Sequence, residues 1–319
     1  YLSHLEKEIA HRLADDVHLS ILRSDGGLAA SEAAAATPVN LLLSGPAGGV
    51  AGAIWFCSRG GFDRVLTFDV GGTSTDVALI ENSSARLRRE TQVGDVAVRA
   101  PSVDVRTVGA GGGSIAFVPE LTKALRVGPD SAGATPGPAA YGQGGEAPTV
   151  TDADVVLGYL PADQKLGGNM ALRKDLAEKA VQKVADAMDL SIQDAAEGIV
   201  RIANEHMFGA LRLISVEQGY DPRDFALCGF GGAGPLHANA LGILMDAWPV
   251  IIPPSPGVLC AYGDATTRVK DEASRSLVRG FSSLTKEDVV ATLDQLTQQV
   301  NDSLADQDIP RDQQVVTWE

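Results

Sequence analysis

The sequence has 319 residues, of which 45% are hydrophobic and 21% charged, so it can bury a sizeable core and suggests two domains or one large domain with insertions. Its 41 acidic and 26 basic residues give a net charge of −15, which argues against nucleic acid as a partner because phosphate binding needs a basic surface. No stretch approaches the ~20 apolar residues that span a bilayer, so we expect no membrane segment and a cytoplasmic protein.

The first 60 residues mix helix and strand signals. Apolar residues at a helical spacing predict a helix at the start of the chain, and 19–21 predicts a short strand. The alanine-rich stretch 29–36 predicts a helix that ends before Pro38. The apolar run 39–43 then predicts a buried strand, and Ser44 is the predicted N-cap of the next helix.

The middle of the chain begins with a predicted hairpin. Residues 65–70 and 76–80 read as strands joined by Gly-Gly-Thr-Ser-Thr. From 93 to 158 the helical period is absent, and Gly, Pro, Ser and Ala dominate. A flexible linker would fit that composition, but the apolar residues scattered through it favour ordered loops between short strands.

The rest of the chain alternates helices and strands. Apolar stripes predict two long helices, within 172–188 and 199–214. A strand, a turn, a helix and a second strand follow at 225–230, 231–235, 236–245 and 250–252. Thr285 and Asp288 predict a capping box for a last helix. The order predicts a mixed α/β fold.

The hairpin turn has the chemistry of a phosphate loop. A hydrophobic strand delivers the carboxylate of Asp69 to its end, and two glycines then allow backbone N–H groups to converge on an anion. The candidate nucleotide-binding residues here are Gly71, Gly72, Thr73 and Ser74. Asp69 and Asp76 are the candidate catalytic carboxylates, with Asp69 suited to hold hydrated Mg²⁺ or orient a water. The alternative is an ordinary hairpin whose turn happens to be Gly-Gly-Thr.

A second glycine-rich turn strengthens the nucleotide interpretation. It again follows a strand and opens a helix, which places free N–H groups and a positive helix end at one spot. Such a turn suits a ribose, an adenine edge or an α-phosphate. The candidate nucleotide-binding residues of this turn are Gly231, Gly232, Ala233 and Gly234.

These two turns resemble the second phosphate loop and the adenosine loop of the actin, heat-shock-70 and sugar-kinase ATPases. With them, further glycine-rich motifs resemble the central domain of hydantoinase A/5-oxoprolinase proteins, from about residue 19 to about 270. The motifs that carry this resemblance lie at 43–50, 69–76, 107–116, 127–129, 131–134, 136–138 and 230–237. The implied fold is an actin-like (ribonuclease H-like) ATPase lobe with a mixed sheet and flanking helices.

The resemblance implies ATP-dependent opening of a cyclic amide or imide, such as a hydantoin, 5-oxoproline or a related lactam, through a phosphorylated intermediate. It implies ATP and Mg²⁺, or another divalent metal, as cofactors, a hydantoinase B-type subunit or domain as a partner, and an oligomer. Two alternatives stay open: a carboxylase subunit of the acetone or acetophenone type, and a nucleotide-gated assembly protein like actin.

The chain also departs from the family pattern. The family's earlier Asp-x-Gly-Gly-Thr loop has no counterpart in residues 1–40, and the chain starts without Met, so we expect a fragment that lacks full ATPase activity. Ala140 stands where the family often has Cys, and Asp154 where it often has Asn. The predicted domains are a connecting segment at 1–38, an ATPase lobe at 39–275 with a loop-rich insertion at 93–160, and a truncated region at 276–319.

Other polar residues are weaker candidates. Asp104, Asp152 and Asp154 could help to bind a metal, but solvated or turn-capping carboxylates are commoner. His237 could contact nucleotide or be a surface or hydrogen-bonded structural residue. The glycine run 109–113 is either a third anion loop or a tight packing turn, and 44–49 is either a phosphate-binding or simply a well-capped helix start.

The three cysteines show no pattern of a functional site. Cys57, Cys228 and Cys260 are odd in number, widely spaced and set in apolar runs. This pattern argues against a disulfide framework or a zinc site, and we interpret the three cysteines as buried small residues.

Overall fold

The computed structural model describes residues 1–13, 19–93, 95–163 and 165–318. The chain forms two compact units. The larger, the sheet unit, comprises Gly48–Leu87 and Val103–Gly263; the smaller unit comprises Tyr1–Ala47, Arg88–Ser102 and Asp264–Glu319. The predicted domain boundaries stay a prediction.

The described helices and strands run as follows. The helices are α1 (Leu2–Arg12), α2 (Ser31–Ala36), α3 (Ser44–Arg59), α4 (Val150–Leu157), α5 (Lys174–Met188), α6 (Ile192–Ile214), α7 (Gly234–Met245), α8 (Leu259–Thr266) and α9 (Lys286–Ala305). The strands are β1 (Ser20–Leu22), β2 (Leu28–Ala30), β3 (Val65–Val70), β4 (Thr75–Glu81), β5 (Ser84–Ala85), β6 (Leu87–Arg88), β7 (Thr91–Val93), β8 (Val96–Val98), β9 (Ser102–Val103), β10 (Val105–Val108), β11 (Ser114–Phe117), β12 (Arg126–Ser131), β13 (Lys165–Leu166), β14 (Met170–Ala171), β15 (Ala226–Phe230) and β16 (Val250–Ile251).

A mixed sheet of order β10-β4-β3-β15-β16, with β5 beside β4, organises the sheet unit. β3 and β4 form the predicted hairpin with Asp69 opposite Asp76, and β15 lies parallel to β3 with Phe230 beside Asp69. β15 and β16 are also parallel, and α7 lies between them in the chain, as a parallel crossover requires. The mixed α/β prediction is thereby confirmed.

One face of this sheet packs into the main core. Alternate residues of β3 and β4 point into it because side chains alternate across a strand. The long helix α6 lies against β4, α4, α5 and α7. Its buried stripe recurs at the spacing of one helix face, as predicted. The sheet residues in this core are Leu66, Phe68, Val70, Val77 and Leu79.

The smaller unit is held together by a cluster of ion pairs around the buried side chains of Arg23 and Asp25. The hairpin β1–β2 positions Arg23, whose guanidinium contacts Asp25 at 3.0 Å and Asp271 at 3.1 Å. Leu28 exchanges backbone hydrogen bonds with Arg268 and Lys270. Contacts between residues some 240 positions apart therefore close this unit.

Several local predictions were wrong. The run 39–43 is not a buried strand: Pro38–Leu41 is a 3-10 turn, because Ser24 bonds to the carbonyls of Asn40 and Leu42 and holds the segment bent. α3 begins at Ser44 itself, so Ser44 is the first helical residue rather than the N-cap.

A further difference concerns the start of a helix. α4 lies inside the region predicted as loops, and it begins there because Thr149 and Asp152 form a capping box. The capping box from Thr285 to Asp288 is present as predicted.

Among the described residues, no helix combines the length and the hydropathy that crossing a bilayer requires.

Candidate active site

The two candidate carboxylates lie side by side at the end of the hairpin. Asp69 and Asp76 are directly opposed on antiparallel strands, so they share a face, the one opposite the main core. Burial and the neighbouring charge of Asp76 raise the pKa of Asp69 to about 6. Burial also raises the pKa of Asp76, against the effect of a hydrogen bond from Thr107. Two half-buried like charges at one spot are typical of functional sites.

The loop between them presents free donors. Gly72 and Thr73 are exposed. Within the described part of the chain, the amides of Gly72, Thr73 and Ser74 donate to no protein group, whereas the Gly71 amide donates to the Ser74 carbonyl at 3.0 Å. A Cβ on Gly72 would meet nothing within 4 Å. The loop can therefore accept an anion without competing with internal hydrogen bonds.

The glycine run 109–113 packs under this loop. The amides of Gly112 and Gly113 donate to the carbonyls of Gly71 and Gly72 at 3.0 and 2.6 Å, and the Gly111 amide donates to the Ser114 hydroxyl. A Cβ on Gly111 would lie 2.8 Å from the Gly71 carbonyl. These amides are occupied by protein groups, so the run is a tight packing turn that supports the phosphate loop.

The second glycine turn meets the first at adjacent strand ends. Gly231 has φ +82°, and a Cβ there would lie 2.2 Å from Asp69 Oδ1. The Ala233 amide donates to the Val70 carbonyl at 2.9 Å. The Gly231 amide donates to the Pro256 carbonyl at 3.0 Å, which leaves Gly232 as the exposed part of the turn next to the start of α7. Residues some 160 positions apart thus form one site.

Two residues beside the carboxylates were missed in the sequence. Thr107 on β10 donates to Asp76 Oδ1 at 2.5 Å, and the thiol of Cys260 lies 3.7 Å from Asp69 Oδ2. A sequence feature could have identified Thr107, because it lies just before the glycine run that supports the loop. No sequence feature identifies Cys260, because 191 positions separate it from Asp69. Cys57 and Cys228 are buried as predicted, but Cys260 is only half-buried.

The weaker acidic candidates do not join this site. Asp152 is buried and accepts from the amides of Ala139, Ala140 and Thr149, so it caps α4 and anchors the preceding loop. Asp104 lies 3.8 Å from Arg106. Among the described residues, no group of three acidic, His or Cys side chains could hold a metal ion.

His237 is a buried structural histidine. Its side chain is fully buried in α7, and Nδ1 lies 2.8 Å from Asn204 Oδ1 on α6. Burial lowers the pKa of His237 to about 4. The hydrogen-bonded structural alternative therefore describes it, since a fully buried ring offers no surface to a nucleotide.

We expect His237 and Asp154 to act on stability with opposite pH dependence. Asp154 is buried with neither oxygen hydrogen-bonded to a described residue, and burial raises its pKa from 3.8 to about 7. A histidine whose pKa falls from 6.5 to about 4 on folding loses stability as pH falls through that window. An aspartate whose pKa rises loses stability as pH rises from about 4 to about 7.

Each effect changes the free energy of unfolding by about 1.4 kcal/mol per pH unit, so the two offset each other between about pH 4 and pH 6.5. Urea unfolding across this window gives the slope of the free energy of unfolding against pH. In His237→Gln this slope should be more negative than in the parent by about 1.4 kcal/mol per pH unit. In Asp154→Asn it should be more positive by about the same amount. The exposed His206→Gln is the control. Parallel curves for all four proteins would contradict the assignment.

Comparison with known proteins identifies relatives of this chain. The family model described as hydantoinase/oxoprolinase matches residues 1–273. The chain is 39% identical over 249 residues to the caprolactamase subunit alpha of Pseudomonas jessenii, covering 78% of this chain and 36% of that one. It is 37% identical over 293 residues to 5-oxoprolinase 1 of Arabidopsis thaliana, covering 85% and 22%.

Two solved structures share the fold. The ATP-dependent caprolactamase of Pseudomonas jessenii superposes with a TM-score of 0.82 at 34% identity, over 96% of this chain and 44% of that one. Nucleotide-free acetone carboxylase superposes with a TM-score of 0.80 at 29% identity, over 95% and 44%. The chain therefore spans less than half the length of these relatives. It belongs to the hydantoinase/oxoprolinase family, as the motifs around its two glycine turns predicted.

Proposed function

We propose that this chain is the nucleotide-binding part of an ATP-dependent enzyme that opens a cyclic amide or imide through a phosphorylated intermediate. The observation that carries the proposal is the meeting of two glycine turns and two carboxylates at adjacent strand ends, joined by the Ala233–Val70 hydrogen bond. Caprolactamase and 5-oxoprolinase, named for lactam substrates, are relatives of this chain.

Each part of the site has a role in this proposal. The free amides of Gly72, Thr73 and Ser74 would bind phosphate oxygens, and Gly232 with the start of α7 would contact the nucleoside. Asp69 and Asp76 supply hard oxygen ligands with atoms open to solvent, which fits hydrated Mg²⁺ held by one or two carboxylates and by phosphates. When bound, Mg²⁺ neutralises charge on the transferred phosphoryl group.

The proposed reaction has three steps. The γ-phosphoryl group of ATP passes to the amide oxygen of the ring, forming an O–P bond as the bond to ADP breaks. Water then adds to the activated carbon and the C–N bond breaks, which opens the ring to an amine and an acyl phosphate. A second water hydrolyses the acyl phosphate to a carboxylate and inorganic phosphate. The residues of this chain would act mainly by positioning the phosphates and by orienting water at Asp69.

A ketone carboxylation is the second candidate. It is favoured by the superposition on acetone carboxylase with a TM-score of 0.80. In that case bicarbonate would take the phosphoryl group of ATP with release of ADP. The ketone, after loss of an α-proton, would then take the carboxyl carbon with release of phosphate. The same site would serve both reactions.

The assembly is also proposed. The caprolactamase relative is an alpha subunit, which supports a partner subunit, and we propose a hydantoinase B-type subunit or domain in an oligomer. We further propose that the residues of this chain alone do not complete catalysis, because an opposing phosphate loop is expected outside them. A cytoplasmic location stays a prediction.

Phosphate release by the full-length protein, assembled with its partner subunits, tests the function. Caprolactam, 5-oxoproline and hydantoin form one set of substrates, and acetone or acetophenone with bicarbonate forms the other. We expect a cyclic amide to stimulate phosphate release, with an equal amount of ring-opened product detected by mass spectrometry. Stimulation only by ketone with bicarbonate would favour carboxylation, and nucleotide-dependent sedimentation without turnover would favour an assembly protein.

A further inference from the structure

Thr107 occupies a distinct place beside the two carboxylates. It lies directly opposite Asp76, on the strand next to β4. Because the strand order is β10-β4-β3, Asp76 has Thr107 on one side and Asp69 on the other. The Thr107 hydroxyl donates to Asp76 Oδ1 at 2.5 Å. The three side chains therefore form a row on one face of the sheet.

The row places a donor where it counters repulsion between like charges. Directly opposed residues of antiparallel strands have Cβ atoms about 5 Å apart, close enough for Asp69 and Asp76 to repel each other. A donor on the far side of Asp76 holds one carboxyl oxygen toward β10, away from Asp69. The same bond restricts rotation of the Asp76 carboxyl group.

The other oxygen of Asp76 stays available. Asp76 Oδ2 accepts no hydrogen bond from the part of the chain that is described, and it is not among the buried unpartnered atoms. The hydrogen bond from Thr107 thus occupies one oxygen and leaves its neighbour open to a water or a hydrated cation. Cys260 stands in a similar relation to Asp69, on the other side of the pair.

We propose that Thr107 is a positioning residue for the ATP-dependent reaction, acting through Asp76 rather than on the substrate. The inference rests on the proposed function, because it assigns Asp76 a part in water or cation binding at the nucleotide site. It adds a residue that neither glycine turn contains. Loss of the hydroxyl frees the carboxyl group of Asp76 to rotate away from the position in which Thr107 holds it.

Two substitutions of Thr107 separate the effect of its hydroxyl group from the effect of its shape. Its side chain is exposed on a strand, so Thr107→Val keeps the shape and the β-branching while it removes the donor. Thr107→Ser keeps the donor and loses only a methyl group. Thr122→Val, at an exposed position outside the site, controls for the substitution itself.

The test measures steady-state phosphate release by the full-length assembled protein against ATP and against Mg²⁺, together with thermal melting. For Thr107→Val we expect kcat to fall about tenfold and half-saturation by Mg²⁺ to rise, as for one lost hydrogen bond to a charged group. The KM for ATP and the melting temperature should change little. Thr107→Ser should recover most of kcat, and Thr122→Val should match the parent.

Two results would overturn the inference: wild-type kcat and Mg²⁺ dependence in Thr107→Val, or a loss in Thr107→Ser as large as that in Thr107→Val. If Thr107→Val does not fold, Thr107→Ala takes its place, because it also removes the hydroxyl that donates to Asp76. Absence of MgATP turnover in the parent protein is a separate result and would overturn the proposed function itself.

Discussion

Replacing Asp69 by asparagine in the full-length assembled enzyme should lower kcat for ATP hydrolysis by a factor on the order of 10²–10³. The change removes the negative charge that is expected to hold hydrated Mg²⁺ and to orient water, while it keeps the shape of the side chain. The same substitution should not destabilise the protein. Since burial and Asp76 raise the pKa of Asp69 to about 6, its ionised form costs stability above that pH.

Activity and stability should therefore move in opposite directions. At pH 8 we expect Asp69→Asn to unfold at the same urea concentration as the parent or a higher one, and to hydrolyse ATP far more slowly. Asp63→Asn, an exposed aspartate just before the same strand, is the matched control and should change neither quantity. Undiminished phosphate release in Asp69→Asn would remove Asp69 from the site.

Replacing Gly231 by alanine should damage both the fold and nucleotide binding. The residue has φ +82°, where an L side chain costs about 1–2 kcal/mol, and the added Cβ would lie 2.2 Å from Asp69 Oδ1 and 2.6 Å from the Val70 carbonyl. Val70 is the residue that joins the two turns. We expect a loss of about 2–4 kcal/mol in the free energy of unfolding and at least tenfold weaker binding of MgADP.

The next residue provides the comparison. A Cβ on Gly232 would meet nothing within 4 Å, and its φ lies outside the left-handed region. Gly232→Ala should unfold within about 1 kcal/mol of the parent. If the turn contacts the nucleoside, it should still weaken MgADP binding, measured by calorimetry. Full MgADP affinity in a folded Gly232→Ala would place the nucleoside elsewhere, and a stable Gly231→Ala would contradict the packing argument.

The family membership and the phosphate-loop hypothesis came from local patterns. A strand that carries Asp69 near its end, two glycines, a run of hydroxyls and a second strand form one continuous signal within residues 65–80. The two long helices were equally readable, because one face of each must be apolar to reach the core. Mixed α/β order follows from the same periodicities.

The sequence predicted less well those segments whose structure depends on residues far away along the chain. The run 39–43 has a strand-like composition, but Ser24 bends it into a turn through contacts with its carbonyls. The glycine run 109–113 could bind an anion or pack tightly, and only its hydrogen bonds to Gly71 and Gly72 decide between them. Helix α4 was hidden by the glycine-rich residues around it.

The sequence by itself determined which segments have the chemistry of nucleotide binding, because that chemistry depends on backbone freedom and on donors that are close along the chain. The tertiary structure alone decided which side chains stand beside them. Thr107 reaches Asp76, and Cys260 reaches Asp69, only because strand order and helix packing place residues 31 and 191 positions apart at one sheet end. Such contacts have no period or spacing along the chain, since the register of separate strands is set by the packing of the whole sheet.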